Sequence, residues 1–237
     1  MRAIAIITAR GGSKRIPKKN IKNFCGKPII AYSIEAAMRS HVFEEVMVST
    51  DSEEIAEISA SYGASVPFTR SALTSGDYAT TDDVVIEVIE KYISLGQKYD
   101  IICCIYPTAP FITPEILQDA YKLLIENEPA DSVMPLVRYS FPPQRAMVIR
   151  DGLAQYQWPE NATKRSQDLE PVYHDCGQFY LCRTDSLLKY RDLLGQKAIP
   201  LEIPEECVQD IDNISDWMMA EMKYKLLNKI EEGNSYV

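Results

Sequence analysis

A glycine-rich basic loop near the start of the chain is the densest group of residues able to do chemistry. Gly11 and Gly12 stand among arginines and lysines, and no acidic residue precedes Glu35 although eight basic residues do. Glycine lets a backbone approach a phosphate closely, and basic side chains neutralise the phosphate charge. The loop is therefore a predicted phosphate-binding site. The alternative is a solvent-exposed basic loop without a ligand.

The elements around this loop are those that a phosphate site needs. The apolar run 4–7 predicts a buried strand before it, and Pro28 suits the first turn of a helix after it. The P-loop motif is absent, because Ile16 and Pro17 stand where that motif needs its second glycine. The G-x-G-x-x-G fingerprint is absent too, which makes a dinucleotide-dependent oxidoreductase improbable.

Composition narrows the class of protein. With 46% hydrophobic residues among 237, the chain predicts one α/β domain over 1–237 with a sizeable core. The net charge of −9 argues against nucleic acid and anionic membranes as partners. Since the first 34 residues carry eight cations and no acid, the rest carry 17 cations against 34 acids. We therefore expect one positive pocket in an acidic body, which suits a polyphosphate with its divalent cation.

Cysteine usage and hydropathy predict a cytoplasmic protein. Six cysteines occur without a C-x-x-C pair, and there are only two histidines, so we do not expect a zinc site. We expect the cysteines to be reduced thiols. The apolar run that opens the chain is too short for a signal peptide. No stretch of about 20 apolar residues is present to span a membrane.

Strands alternate with helices along the chain, which predicts a mostly parallel sheet with right-handed crossovers. The predicted strands are 4–7, 45–50, 65–68, 100–106, 131–137, 178–182 and 198–203. The predicted helices are 28–39, 53–61, one from 80 or 81, 113–126 and an amphipathic one from 214 to about 230, while 72–78 is expected to be a loop. Ligands of such sheets bind beyond the carboxyl ends of the strands. The loops that carry Arg10, Asp51, Arg70 and Pro107 should therefore line the site.

The region 139–178 breaks this alternation. It is rich in proline and aromatic residues, and Asp151-Gly152 between two short β-type runs, 147–150 and 153–156, predicts a hairpin. We interpret the region as a small β-rich excursion, and it is where we expect a contact between two copies of the chain.

Two carboxylates precede the predicted last helix. In an extended segment Asp210 and Asp212 point the same way, and a pair of carboxylates can hold Mg²⁺. The alternative is helix capping, with Asp212 or Asn213 as the cap and Asp216 in the first turn. On the residues alone, capping is the stronger interpretation.

Together these segments resemble the acylneuraminate cytidylyltransferase family, whose members activate acidic sugars as CMP derivatives. The stretch 9–20 follows that family's opening loop almost throughout. The stretch 69–81 looks like its segment from R-P-x-x-L to D-x-A-x-x, with Ser71 where proline is usual. The turn 106–110 resembles its Q-P-T-S-P, with Tyr106 in place of glutamine. The resemblance implies a Rossmann-like nucleotidyltransferase sheet in a single cytidylyltransferase domain.

The resemblance also implies which residues meet CTP and the metal. The implied nucleotide contacts are Arg10, Gly11, Gly12, Ser13, Arg15, Lys19, Asn20, Arg70, Ala79 and Thr81. Arg10, Lys19 and Asp212 are the implied catalytic residues. The family has a D-x-D before its last helix, which favours Mg²⁺ at Asp210 and Asp212 over capping. For Thr81, helix capping remains the alternative.

The segment 173–177, Tyr-His-Asp-Cys-Gly, is similar to the Y-H-D-A-G of the branch that activates pseudaminic acid, whereas most sialic acid enzymes read R-x-N-G there. The implied sugar contacts are Tyr106, Arg165, Gln167, Tyr173, His174 and Asp175. The resemblance implies a homodimer that transfers CMP from CTP to a nonulosonic acid for surface glycan synthesis. Activation of N-acetylneuraminic acid or another keto-sugar acid, and non-catalytic nucleotide sensing, are the alternatives.

Overall fold

The computed structural model describes residues 1–229, and the predicted end of the last helix near Ile230 lies outside them. The strands are β1 (Ala3–Thr8), β2 (Asn23–Phe24), β3 (Lys27–Pro28), β4 (Glu45–Ser49), β5 (Ile101–Ile105), β6 (Ser132–Arg138), β7 (Met147–Arg150), β8 (Leu153–Tyr156), β9 (Tyr173–Asp175), β10 (Phe179–Arg183) and β11 (Ala198–Glu202). The helices are α1 (Ile29–Ser40), α2 (Glu53–Ser61), α3 (Ala72–Ser75), α4 (Thr81–Ser94), α5 (Pro114–Glu126), α6 (Thr184–Tyr190) and α7 (Ile214–Leu227).

One twisted sheet forms the centre of the molecule, in the order β11-β6-β10-β5-β1-β4, with β9 paired to β6. β1 runs parallel to β4 and β5, and β6 runs parallel to β11. β10 lies between β5 and β6 and is antiparallel to both. The mostly parallel α/β sheet predicted from the sequence is therefore confirmed, with two reversed strands, β9 and β10, that the alternating pattern does not predict.

Both faces of the sheet are covered by helices, which explains why its central strands are continuous apolar runs. Side chains of β1 alternate between two clusters: Ile7 packs with α1 and α5, and Ile6 packs with α4. The neighbours Cys103 and Cys104 divide in the same way between the two faces, and both are fully buried. Within residues 1–229, no helix has both the length and the apolar composition to cross a membrane.

Two of the predicted elements are wrong. Residues 65–68 form a single bridge, Met47 to Ser65, instead of a strand, and Pro67 explains this because it has no N–H for a strand ladder. Residues 72–78 were predicted to be a loop, but they begin with α3, whose first turn is capped by Ser71 accepting from the amide of Thr74.

The region 139–178 and the helix α7 match the expectation only in part. The β7–β8 hairpin is confirmed, and Asp151 and Gly152 both have positive φ, at 52° and 78°, as a tight hairpin turn needs. The last part of the region 139–178 belongs to the main sheet, because β9 pairs with β6. The helix α7 is less amphipathic than predicted: Trp217 is buried, but Met218 and Met222 are exposed.

Candidate active site

A cavity of about 470 Å³ opens beyond the carboxyl ends of β1 and β5. Its walls come from the basic loop after β1, the segment before α4, the turn after β5 and the approach to α7. The lining residues are Thr8, Arg10, Ser13, Lys14, Arg15, Ile16, Lys19, Asn20, Arg70, Thr74, Gly76, Asp77, Ala79, Thr80, Thr81, Val84, Tyr106, Pro107, Thr108 and Asp212. Most of the predicted nucleotide contacts are therefore brought to one place.

The glycines of the basic loop shape its backbone and lie outside the cavity lining. The amide of Gly11 donates to Asp51 Oδ1 at 2.7 Å. A Cβ at Gly11 would stand 3.1 Å from Ser52 Cβ, so a side chain there would press the loop away from the β4–α2 turn. A Cβ at Gly12 would meet no atom within 4 Å. Asn20 is buried and donates to the carbonyl of Arg10 at 2.9 Å, which fixes the curvature of the loop.

Four cations of the loop line the cavity, and three of them are each paired with an acid. Arg10 Nη1 lies 3.1 Å from Asp77 Oδ1, and Lys14 Nζ lies 2.5 Å from Asp77 Oδ2. Arg15 Nη2 lies 2.6 Å from Asp212 Oδ1. The cavity therefore holds a cluster of positive charge that its own carboxylates partly neutralise.

Lys19 is the most enclosed cation of the cluster. Its Nζ donates to the carbonyl of Ile211 at 2.7 Å, which joins the basic loop to the segment before α7. Burial lowers the pKa of Lys19, although the nearby Asp212 and Asp210 act to raise it. An ammonium group that has lost hydration gains more than a solvated one from an anionic ligand at short range.

The two carboxylates before α7 are not used for capping. Asn213 caps the helix by accepting from the amides of Ser215 and Asp216, and Asp216 accepts from the amides of Asp212 and Asn213. The capping alternative therefore holds for Asn213 with Asp216, and the Asp212 carboxylate stays directed to the cavity.

The charge around the carboxylate pair suits a cation. Burial, followed by repulsion from Asp212, raises the pKa of Asp210. A divalent cation would relieve that repulsion, and carboxylate oxygens are ligands that Mg²⁺ accepts. No group of three or more His, Cys, Asp or Glu within residues 1–229 could hold a metal. A metal at Asp210 and Asp212 would therefore need further oxygen ligands from a bound phosphate.

Arg70 and the start of α4 form the opposite wall. Arg70 is only 7% exposed and donates to Ser49, from Nη2 to its carbonyl at 2.6 Å and from Nε to its hydroxyl at 3.1 Å. Burial lowers the pKa of Arg70. Thr80, not Thr81, caps α4, in a reciprocal pair with Asp83. Thr81 is free for another role, and its Oγ1 lies 3.3 Å from Tyr106 Oη.

A smaller cavity of about 210 Å³ continues from Thr81 and Tyr106. Its lining residues are Thr81, Asp82, Tyr106, Asp175, Tyr180, Asp192, Leu193 and Leu194. The rings of Tyr106 and Tyr180 meet edge to face, with centroids 5.8 Å apart, and Tyr180 Oη donates to Asp175 Oδ2. Two predicted sugar contacts, Tyr106 and Asp175, are thus brought together. Leu193 and Leu194 were missed, and no local pattern marks them.

The other predicted sugar contacts lie outside both cavities in this chain. Arg165 is exposed and pairs with Asp168 at 3.2 Å. Gln167 lines a separate hollow near the end of β6. His174 packs its ring against that of Tyr139, with centroids 4.7 Å apart, and Tyr173 is exposed. Their role in sugar binding stays a prediction.

The fold and the cavity define an α/β protein of the nucleotide-binding class, with a basic pocket beyond the carboxyl ends of a mostly parallel sheet. A sequence model of a family described as cytidylyltransferase matches residues 4–189. This chain belongs to the cytidylyltransferase family.

Three comparisons with known proteins describe its place in more detail. The chain is 41% identical to the pseudaminic acid cytidylyltransferase of Campylobacter jejuni subsp. jejuni serotype O:2. The alignment spans 227 residues and covers 95% of this chain and 97% of that protein. It is 34% identical to the CMP-N,N'-diacetyllegionaminic acid synthase of Legionella pneumophila subsp. pneumophila, over 95% of this chain and 97% of that one. The solved structure of CMP:2-keto-3-deoxy-manno-octonic acid synthetase complexed with CTP matches with a TM-score of 0.71 at 18% identity, covering 97% of this chain and 100% of that one. This last likeness concerns the fold alone.

Proposed function

We propose that this protein transfers CMP from CTP to pseudaminic acid, giving the CMP-sugar and pyrophosphate for surface glycan synthesis. The observation that carries cytidylyl transfer is the convergence of Arg10, Lys19 and Asp212 on one cavity at the carboxyl edge of the sheet. The identity of 41% over nearly the whole length of the Campylobacter jejuni enzyme supports pseudaminic acid as the sugar. CTP in the cytoplasm would supply the nucleotide.

The reaction needs positioning and charge stabilisation more than covalent chemistry. The anomeric hydroxyl of the sugar gives up its proton to solvent as its oxygen attacks the α-phosphorus of CTP, the bond from that phosphorus to the bridging oxygen breaks, and pyrophosphate leaves. Lys19 and Arg10 stabilise the negative charge that develops on the leaving group. Ser13 and Arg15 hold the phosphates in line, and Arg70 with Ala79 forms the wall against which cytosine lies.

Cytidylyltransferases of this kind typically use a divalent metal, and we infer that the metal here is Mg²⁺. Asp210 and Asp212 would hold it, and Arg15 already supplies a positive charge to Asp212, so the position accommodates a cation. When bound, Mg²⁺ neutralises phosphate charge and helps to orient the nucleotide.

The smaller cavity is the proposed place for the far end of the sugar. Burial raises the pKa of Tyr106 still further above neutral, and its protonated hydroxyl is available to donate a hydrogen bond to the sugar. Leu193, Leu194 and the Tyr180 ring present apolar surface, which suits the terminal methyl group of pseudaminic acid. N-acetylneuraminic acid has a hydroxyl there, and a hydroxyl buried against Leu193 and Leu194 without a partner costs roughly 1–3 kcal/mol.

We further propose that the protein is a homodimer. The region 139–178 exposes large apolar side chains, among them Phe141 at 62%, Ile149 at 79% and Leu153 at 65%. Contiguous exposed apolar surface is a usual mark of a protein interface. Arg165 lies in the same region, so assembly is also a way for it to reach a sugar carboxylate, which arginine binds bidentately.

The test is a comparison of sugars at saturating CTP. Pyrophosphate release is measured with pseudaminic acid, N,N'-diacetyllegionaminic acid and N-acetylneuraminic acid, and kcat/KM is obtained for each. We expect the value for pseudaminic acid to exceed that for N-acetylneuraminic acid by about 10-fold or more, since each misplaced polar group costs roughly 1–3 kcal/mol. Equal values would refute the sugar assignment and leave cytidylyl transfer standing, whereas no release with any sugar would refute both.

A further inference from the structure

The segment 71–80 forms one wall of the nucleotide cavity and is fixed at both ends. At its beginning, Glu87 of α4 accepts from the amide of Ser71 at 3.1 Å, from the hydroxyl of Ser71 at 2.7 Å and from the hydroxyl of Thr74. At its end, Thr80 begins α4 with its capping pair. The two ends of the segment therefore move with α4.

The middle of the same segment has much less support. Tyr78 is 99% exposed and Leu73 is 87% exposed. Within the described part of the chain, Gly76 and Asp77 contact another element through Arg10 and Lys14 of the basic loop. The Gly76 carbonyl accepts from Arg10 Nη1 at 3.4 Å, so the shorter ion pairs of Asp77 are the main attachment.

This attachment uses the charges that the phosphates need. Arg10 and Lys14 line the cavity together with Asp77, and one carboxylate engages both cations. A carboxylate and a phosphate oxygen are alternative acceptors for the same guanidinium and ammonium donors. Both cannot use the same donor directions on Arg10 and Lys14 at once.

We propose that Asp77 is a positioning residue that binds Arg10 and Lys14 in place of phosphate, and that the phosphates of CTP displace it when they bind. The proposal rests on the proposed function, because the two cations meet phosphates only if the cavity binds CTP. Without nucleotide, Asp77 keeps both side chains in the cavity and partly neutralises their charge. When pyrophosphate leaves, the Asp77 carboxylate pairs with Arg10 and Lys14 again. This competition for the two cations favours the release of pyrophosphate.

The proposal predicts that removing the charge of Asp77 strengthens the binding of pyrophosphate. Asp77→Asn removes the competing charge while keeping the size of the side chain. Pyrophosphate should then bind about threefold to tenfold more tightly, since two exposed ion pairs no longer have to be broken and each contributes little. If Asp77 only supported the cavity wall, the same substitution would loosen the wall and weaken binding.

The experiment measures the Kd of pyrophosphate with Mg²⁺ by calorimetry on the full chain. Asp77→Glu keeps the charge and should stay within about twofold of the unmodified protein. Glu54→Gln is the matched control, because Glu54 pairs at 2.8 Å with Lys18 of the same loop and neither residue lines the cavity. Glu54→Gln should leave the Kd unchanged. A steady-state assay should show a lower KM for CTP and stronger inhibition by pyrophosphate in Asp77→Asn.

The outcomes separate the two proposals. Tighter pyrophosphate binding by Asp77→Asn alone supports the exchange. Unchanged or weaker binding, with a normal circular dichroism spectrum and melting temperature, overturns it and leaves the nucleotide site intact. Equal tightening in Glu54→Gln also overturns it, because the effect would then follow from net charge. If the unmodified protein binds neither CTP nor pyrophosphate, the proposed function fails as well.

Discussion

Replacing Glu87 by glutamine should destabilise the protein by an amount that depends on pH. Burial acts to raise the pKa of Glu87, but hydrogen bonds from Lys91, Thr74 and Ser71 outweigh it and lower the pKa from 4.5 to about 2. The side chain is 18% exposed, so solvent screens these contacts only in part. A shift of about 2.5 units corresponds to about 3 kcal/mol of stability near pH 7.

The sign of the pH dependence follows from the lowered pKa. The contribution of Glu87 is complete above the unfolded-state pKa of 4.5 and is lost as the pH falls towards about 2. Because glutamine resembles the protonated acid, Glu87→Gln should be less stable by about 3 kcal/mol near pH 7 and by about 2 kcal/mol near pH 3.5. The variant should also have a raised KM for CTP, since the segment 71–80 loses its anchor.

The assay is urea unfolding followed by circular dichroism at several pH values, with Glu90→Gln as the control. Glu90 lies on the same helix and pairs only loosely with Arg191, at 3.8 Å, so its substitution should cost less than about 1 kcal/mol. A loss of about 3 kcal/mol lowers the melting temperature of a chain of this size by roughly 6–12 °C. Equal stabilities of the two variants, or a Glu87→Gln deficit that does not narrow on acidification, would refute the reasoning.

The other expected effects concern the charges of the cavity. Lys19→Ala should reduce kcat by about 10²–10³-fold, because it removes one donor that stabilises charge in the transition state. Lys18→Gln, on the same loop, is the control and should keep a kcat near that of the unmodified protein. Near-normal turnover of Lys19→Ala would show that Lys19 has no part in the mechanism. Activity should require Mg²⁺ or a similar hard cation, and Asp212→Asn should abolish turnover or raise the metal concentration needed; a loss of thermal stability alone would point to a structural role. Asp210→Asn should raise the melting temperature without metal near pH 7, because burial and the neighbouring Asp212 disfavour the ionised form of Asp210 and raise its pKa. The gain should disappear as the pH falls below that pKa, where the aspartate is neutral too; a lower melting temperature near pH 7 would contradict this account of the carboxylate pair.

Local signals in the sequence were sufficient for the elements with clear ends. The helices 53–61 and 114–126 begin after Ser52 and Thr113, residue types that favour the start of a helix, and both side chains accept from the backbone as N-caps do. The hairpin followed from Asp151-Gly152. By contrast, the reversed direction of β10 depends on contacts with β5 and β6 that are distant in the chain, and no short pattern records them.

The site was predictable to a similar extent. The basic loop and Asp212 were assigned to one site because the stretch 9–20 and the short D-x-D at 210–212 resemble motifs of the same family. The structure brings both to one cavity. The pairing of Asp77 with Arg10 and Lys14 joins residues more than 60 positions apart, which spacing alone cannot reveal. The contact between Tyr180 and Asp175 was missed for a different reason, since it depends on the break at 176–178, where the chain passes from β9 to β10 while both strands run antiparallel to β6.

The most direct test of the central claim is to identify the product. Purified protein is incubated with CTP, pseudaminic acid and Mg²⁺, and the mixture is analysed by mass spectrometry together with a pyrophosphate assay. The account predicts one CMP-sugar, with the mass of CMP-pseudaminic acid, formed in equal amount to pyrophosphate and dependent on Lys19. Binding of CTP without any CMP-sugar, under conditions where the sugar is intact, would contradict it.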